Sequence, residues 1–202
     1  MKLYDLPASP NARRVRIFLA EKGLEIPKEE VDLSSGYHHT PEYLSKNILG
    51  RMPVLELADG STISESQAIC RYLEEIYPEP PLMGQTPLER AHIEMWNRRM
   101  ELELLIPLMH AFVHGHPMWK GIRDQVPDYV PVCEKHASRS LGWLETALEG
   151  REYIAAPVYS VADITAQCAI LMGKAVGVRP TEDQENINAW WARVTSRPSA
   201  RA

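Results

Sequence analysis

The chain reads as an α/β domain followed by an all-α domain, and three observations lead there. Strand and helix signals alternate only within the first 77 residues, a proline-rich break follows at Tyr77-Pro78-Glu79-Pro80-Pro81, and everything beyond it keeps helical spacing without strand signals. Residues 2–6 form a short strand and residues 7–10 the loop that closes it. Val15, Phe18, Leu19 and Lys22 then fall at helical spacing until Gly23, a helix C-terminal stop. Residues 31–33 resume extended character and complete a βαβ unit. A short helix is expected over residues 42–46. Residues 54–57 and 62–64 are strands joined through the hairpin signal Ala58-Asp59-Gly60-Ser61. The helix over residues 66–77 is expected to bury Ile69, Tyr72, Leu73 and Ile76. The order βαβαββα makes a small mixed sheet of residues 1–77, and three prolines in four residues stiffen a connector over 78–85.

Residues 86–202 are expected to form a helical bundle. Leu88, Ile93, Trp96, Met100 and Leu104 keep helical spacing up to a kink at Pro107, and the helix fades near Gly115-His116-Pro117. Further helices are expected over residues 127–148, 160–176 and 182–194. Ser160-Val161-Ala162-Asp163 fits a capping box, a structural motif with no chemistry of its own.

Composition narrows the function classes. A 202-residue chain with 45% apolar residues supplies a sizeable core without covalent staples. The net charge of -5 and a pI near 5.8 argue against a nucleic-acid surface or an anionic membrane face. Residues 1–77 carry 9 Lys+Arg and 12 Asp+Glu and the remainder 13 and 15, so any anion site is local. Asp5 and Pro7 interrupt the apolar run that a signal peptide needs, and no stretch approaches the ~18 apolar residues of a membrane helix. Cys70, Cys133 and Cys168 are widely spaced and form no CxxC, so a cytoplasmic, reducing compartment without disulfides or structural zinc is expected. His110 and His114 lie four apart, but no carboxylate or cysteine completes a metal set, and a solvated or pocket-lining role is the expectation. Cys70 reads as a core thiol, and Trp190-Trp191 as packing with partial exposure.

Three short segments carry candidate chemistry. In Ser9-Pro10-Asn11-Ala12-Arg13-Arg14-Val15-Arg16 a hydroxyl and a carboxamide stand where a loop enters the first helix, a place that favours an anion such as a thiolate. Lowering a thiol from its ordinary ~8.5 to ~6.5 takes about 2.7 kcal/mol of selective stabilisation. One hydrogen bond to a charged acceptor supplies ~1.5–3 kcal/mol and the helix end ~0.3–1 kcal/mol, so Ser9 suffices without a general base. A plain helix cap is the alternative. Met52-Pro53 opens a strand, and a cis bond there would turn the Met52 peptide groups outward to pair with an extended peptide. Glu65-Ser66 opens the third helix. Ser66 at the N-cap would leave its N–H and hydroxyl for a carboxylate, with Glu65 taking an ammonium, whereas a cap with an acidic neighbour is the simpler reading.

Taken in order and spacing, SPNARRVRIFLAEKG, HHTPEYLSKNILGRMPVLELADGSTISESQAICRYLEE, SVADI and AWWARVTSRPS make essentially the whole chain resemble a bacterial cytosolic glutathione S-transferase. The resemblance implies a thioredoxin-like N-terminal domain that binds glutathione as co-substrate, and an all-helical C-terminal domain that supplies most of the pocket for an electrophile. It implies a homodimer; that no metal is expected rests on the missing ligand set noted above. Residue by residue, Ser9 matches the thiol-activating serine and Asn11 an asparagine used near the sulfur in some members. Met52 matches the residue whose backbone pairs with the cysteinyl unit, and Pro53 the cis-proline. Glu65 and Ser66 match the pair that holds the γ-glutamyl end. His38 or His39, with Arg51 nearby, matches the side that reads the glycyl carboxylate. Met109, Phe112, Val113 and Trp119 are the candidates for the second-substrate pocket. Tyr4 lies inside a strand and ranks below Ser9, and the absence of cysteine from the first helix argues against thiol-reductase members. Asn47-Ile48-Leu49-Gly50-Arg51 stands where Asn-Pro-x-Gly-x is more usual. The expected activity is nucleophilic transfer of glutathione to a small electrophile. A related lyase or isomerase reaction, or a non-catalytic binding role on the same fold, is the alternative.

Overall fold

The computed structural model describes residues 1–155 and 157–202. The chain folds into two compact units, one of residues 1–81 together with 198–202 and one of residues 82–197. The division falls inside the connector expected over residues 78–85, and residues 198–202 join the first unit.

The first unit follows the order β1 (Lys2–Asp5), α1 (Pro10–Glu21), β2 (Lys28–Glu30), α2 (Pro41–Leu44), β3 (Val54–Glu56), β4 (Thr62–Ser64) and α3 (Ser66–Ile76). The sheet order is β2-β1-β3-β4, with β1 parallel to β2 and the other neighbours antiparallel. This is the mixed sheet of a thioredoxin-like domain, as the sequence leads one to expect. Leu3 pairs with Leu55 and Tyr4 with Val54, so strand alternation puts the two leucines on one face and Tyr4 and Val54 on the other. Tyr4, Val31, Tyr43 and Val54 form a buried cluster on which Tyr37 and Met52 pack. Helices α1 and α3 pack on each other, and Val15, Phe18 and Leu19 of α1 and Ile69 and Leu73 of α3 are buried.

Three expectations are corrected here. The second strand is Lys28–Glu30, not residues 31–33. It is a charged edge strand, so it carries no apolar alternation to reveal it, and its charges protect the open edge. In α3, Tyr72 is only half-buried and Ile76 is exposed, while Glu74 is buried instead. Glu74 tolerates burial because Lys22 Nζ lies 2.6 Å from it and also donates to the carbonyls of Tyr77 and Pro80. That one lysine ties the end of α1 to the proline segment.

The second unit contains α4 (Pro87–Arg99), α5 (Ile106–Gly115), α6 (Val130–Ala147), α7 (Val161–Val176) and α8 (Glu185–Thr195). The kink expected at Pro107 takes the form of a π-helical turn over Met100–Leu105. Pro107 has no N–H to give the carbonyl of Glu103, and the Ser140 hydroxyl donates to it at 2.7 Å instead. The capping box at Ser160 is present, and buried Asp163 also accepts from the Ile154 N–H and Trp190 Nε1. No helix among the described residues is long and apolar enough to cross a membrane.

Candidate functional site

Ser9 is the N-cap of α1, and its hydroxyl oxygen accepts the Ala12 N–H at 3.3 Å. The cap therefore uses a lone pair and leaves the hydroxyl proton to give to another acceptor, so the two readings of Ser9 are compatible. The loop that presents it is fixed from behind. Arg16 is buried, its Nη1 donates to Asp5 Oδ1 at 2.7 Å, and its Nη2 donates to the Pro7 carbonyl at 2.9 Å. The Asn11 side chain, half-buried in the first turn, has no hydrogen-bond partner among the described residues. Tyr4 is absent from this mouth: its ring is buried in β1 and its hydroxyl donates to Glu56.

The Met52–Pro53 bond is cis. Met52 stands just before β3, and the carbonyl of Arg51 before it accepts from both Tyr43 Oη and Asn47 Nδ2. The Arg51 side chain is exposed. His38 and His39 form one turn of 3-10 helix, Tyr37–His39, with their rings 3.8 Å apart, His38 half-buried and His39 exposed. The histidine loop rests on Gly50, where an added Cβ would come within 2.6 Å of the His38 carbonyl oxygen.

At the third segment the expectation for Ser66 is corrected. Glu65, not Ser66, is the N-cap of α3, and Ser66 is the first helical residue. Its hydroxyl is buried and accepts from Arg14 Nη1 at 2.7 Å, so it is not free on both sides. The Ser66 N–H, one of the helix's first donors, and the hydroxyl proton remain to be given. Glu65 is exposed at φ 67, ψ 115, the one non-glycine residue at positive φ among the described residues. Such a conformation costs of order 1–3 kcal/mol and is held only where the surroundings impose it. Arg14 is fully buried. Its place behind Ser66 is not among the residues that sequence reasoning singles out. The one signal for it is an arginine falling between the buried positions Ala12 and Val15 of a helix.

In the second unit Met109, Phe112 and Val113 occupy one face of α5 and are all half-buried. The Phe112 and Trp119 rings meet edge to face at 6.3 Å, and Phe112 lies 4.7 Å from the His116 ring. Gln125 Nε2 donates to the Val113 and His116 carbonyls and closes this loop. His110 and His114 meet Tyr129, and His114 Nδ1 accepts the Val126 N–H. Among the described residues no group of three or more His, Cys, Asp or Glu is placed to hold a metal ion.

Comparison with known proteins defines the class. Residues 3–81 match the family described as glutathione S-transferase, N-terminal domain, and residues 100–198 match glutathione S-transferase, C-terminal domain. The chain is 38% identical over its whole length to glutathione S-transferase 2 of Saccharomyces cerevisiae, 88% of which is covered. Its fold is similar to the crystal structure of a glutathione S-transferase domain-containing protein from Marinobacter aquaeolei VT8, with a TM-score of 0.92 and 36% identity over 98% of this chain and 99% of that one. Gtt2 from Saccharomyces cerevisiae gives a TM-score of 0.92 and 37% identity over 100% of this chain and 99% of that one. The chain belongs to the glutathione S-transferase family.

Proposed function

We propose that the protein is a glutathione transferase in which Ser9 holds the glutathione thiolate for attack on a small electrophile. The observation that carries this reading is the Ser9 hydroxyl itself, oriented by its cap bond on a loop locked by Arg16, with its proton uncommitted at a helix N-terminus. Asn11 supports the same mouth. The cysteinyl backbone pairs with Met52 beside cis-Pro53. The γ-glutamyl carboxylate takes the Ser66 N–H and hydroxyl proton with Arg14 behind them, and Glu65 takes the ammonium. His38 or His39, with Arg51, reads the glycyl carboxylate. Met109, Phe112, Val113 and Trp119 supply an apolar, aromatic face for the electrophile. The three cysteines, all buried and unbridged, fit a reducing, cytoplasmic setting. Glutathione is the co-substrate, and the chemistry is transfer to carbon or a related elimination or isomerisation.

The test is the pKa of the bound thiol, followed by thiolate absorbance. Removing one hydroxyl donor from a charged acceptor costs about 1.5–3 kcal/mol, or roughly one to two pKa units. Ser9→Ala should raise the bound-thiol pKa by that amount and lose turnover at neutral pH, with recovery at high pH, and Asn11→Ala should do so to a smaller extent. A parent enzyme whose bound thiol titrates at its free value would favour a non-catalytic binding role. A near-normal Ser9→Ala beside a strongly shifted Asn11→Ala would transfer the activating role to Asn11.

A further inference from the structure

We propose that Tyr43 and Asn47 are positioning residues that aim the Met52 N–H at the glutathione backbone, an inference that rests on the reading of Met52 given above. Both side chains donate to one oxygen, the Arg51 carbonyl, Tyr43 Oη at 3.1 Å and Asn47 Nδ2 at 2.8 Å. A carbonyl oxygen offers two lone pairs, and two donors occupy them. The Arg51–Met52 bond is trans, and in a planar trans peptide the C=O and the N–H point in opposite directions. Donors that draw the Arg51 carbonyl towards α2 and the turn after it therefore turn the Met52 N–H away from them. That amide belongs to a residue just outside the sheet ladder, where an added extended peptide would pair.

The donors are themselves held. The Tyr43 ring is fully buried and meets Tyr4 and Tyr37 edge to face at 5.9 and 5.4 Å. Burial pushes the Tyr43 hydroxyl well above its ordinary pKa, so it stays a neutral donor. Asn47 is buried, its Oδ1 accepts the Leu49 N–H at 3.1 Å, and its own N–H donates to the Tyr43 carbonyl at 3.0 Å. The two residues thus belong to one rigid turn whose shared product is the direction of a single peptide plane.

The experiment uses the full chain with Tyr43→Phe, which keeps the packed ring, and Asn47→Asp, which keeps the acceptor for Leu49 and drops the donor. Calorimetry should give a glutathione Kd raised about three- to tenfold in each, with KM following and kcat and the bound-thiol pKa unchanged. The dipeptide amide γ-glutamylcysteinamide, which lacks the glycyl carboxylate and keeps an uncharged cysteinyl carbonyl, should lose the same factor, because the contact at stake is to the cysteinyl backbone. Parental affinity in a Tyr43→Phe protein that melts with the parent would overturn the proposal. So would a loss confined to glutathione and absent for the dipeptide, which would assign the effect to the histidine loop. A parent that binds no glutathione would overturn both this inference and the function it rests on, whereas a binding parent with indifferent variants would overturn this inference alone.

Discussion

Gly50 sits at φ 60 with no room for a Cβ beneath the His38 carbonyl, so two separate constraints meet at one residue. Gly50→Ala must either leave the left-handed region or push the histidine loop outward. We expect a stability loss of about 1–3 kcal/mol in urea unfolding and a raised KM for glutathione, with the bound-thiol pKa in place. A variant with parental KM would show that the loop does not contribute to binding. At this scale the sequence disclosed what is local. Ser9 as a cap and the Ser160–Asp163 box are patterns of adjacent residues, and their hydrogen bonds span three positions. Arg14 against Ser66 and Lys22 against Tyr77 and Pro80 were not legible, because each buries a cation beside a partner more than fifty residues away. Nothing in an arginine's own neighbourhood says which distant group will neutralise or orient it.

Among the elements, α4 begins with a reciprocal capping box in which Thr86 and Glu89 serve each other's backbone. The Glu89 carboxylate accepts the Thr86 and Gln85 N–H groups, which holds its pKa below the ordinary 4.5. A depressed folded-state value means that this contribution is full above 4.5 and is lost as the pH falls through the lowered value. Glu89→Gln, which does not titrate, should therefore lower Tm at neutral pH and converge on the parent below the carboxylate range. Thermal scans from about pH 7 to about pH 3 read this directly, and a Tm difference that stayed constant with pH would contradict it. Helices with a cap and an apolar stripe are legible in the sequence. β2 is displaced from its expected place because Lys28-Glu29-Glu30 looks like solvent and is a strand only by its pairing with β1. The π turn is legible as a kink because Pro107 announces itself, but not as a register change, since that depends on Ser140 reaching the carbonyl of Glu103 from another helix.

For the whole molecule, the order of a mixed sheet followed by helices is visible in the alternation of periods, and the proline segment marks the change. A two-fold dimer is our expectation, since closed two-fold assemblies are the commonest among soluble oligomers. Light scattering should return twice the 22.9 kDa of the chain, and a 22.9 kDa particle at micromolar concentration would contradict it. What the sequence hid is the return of residues 198–202 to the first unit. Pro198–Arg201 has no apolar periodicity, and its partners are remote: Arg13 Nη2 donates to the Ala200 carbonyl at 2.6 Å across 187 positions, and the Ser199 hydroxyl bonds Glu21. This return has a consequence for biosynthesis. On a translating ribosome the sheet and its first helix emerge early, yet the groups that cover Arg13 and Glu21 are made only after the entire helical unit has been threaded out. The first unit is begun first and completed last, so a nascent chain carries an α1 without these partners until residues 198–202 have emerged, and a product cut short before residue 198 lacks them altogether.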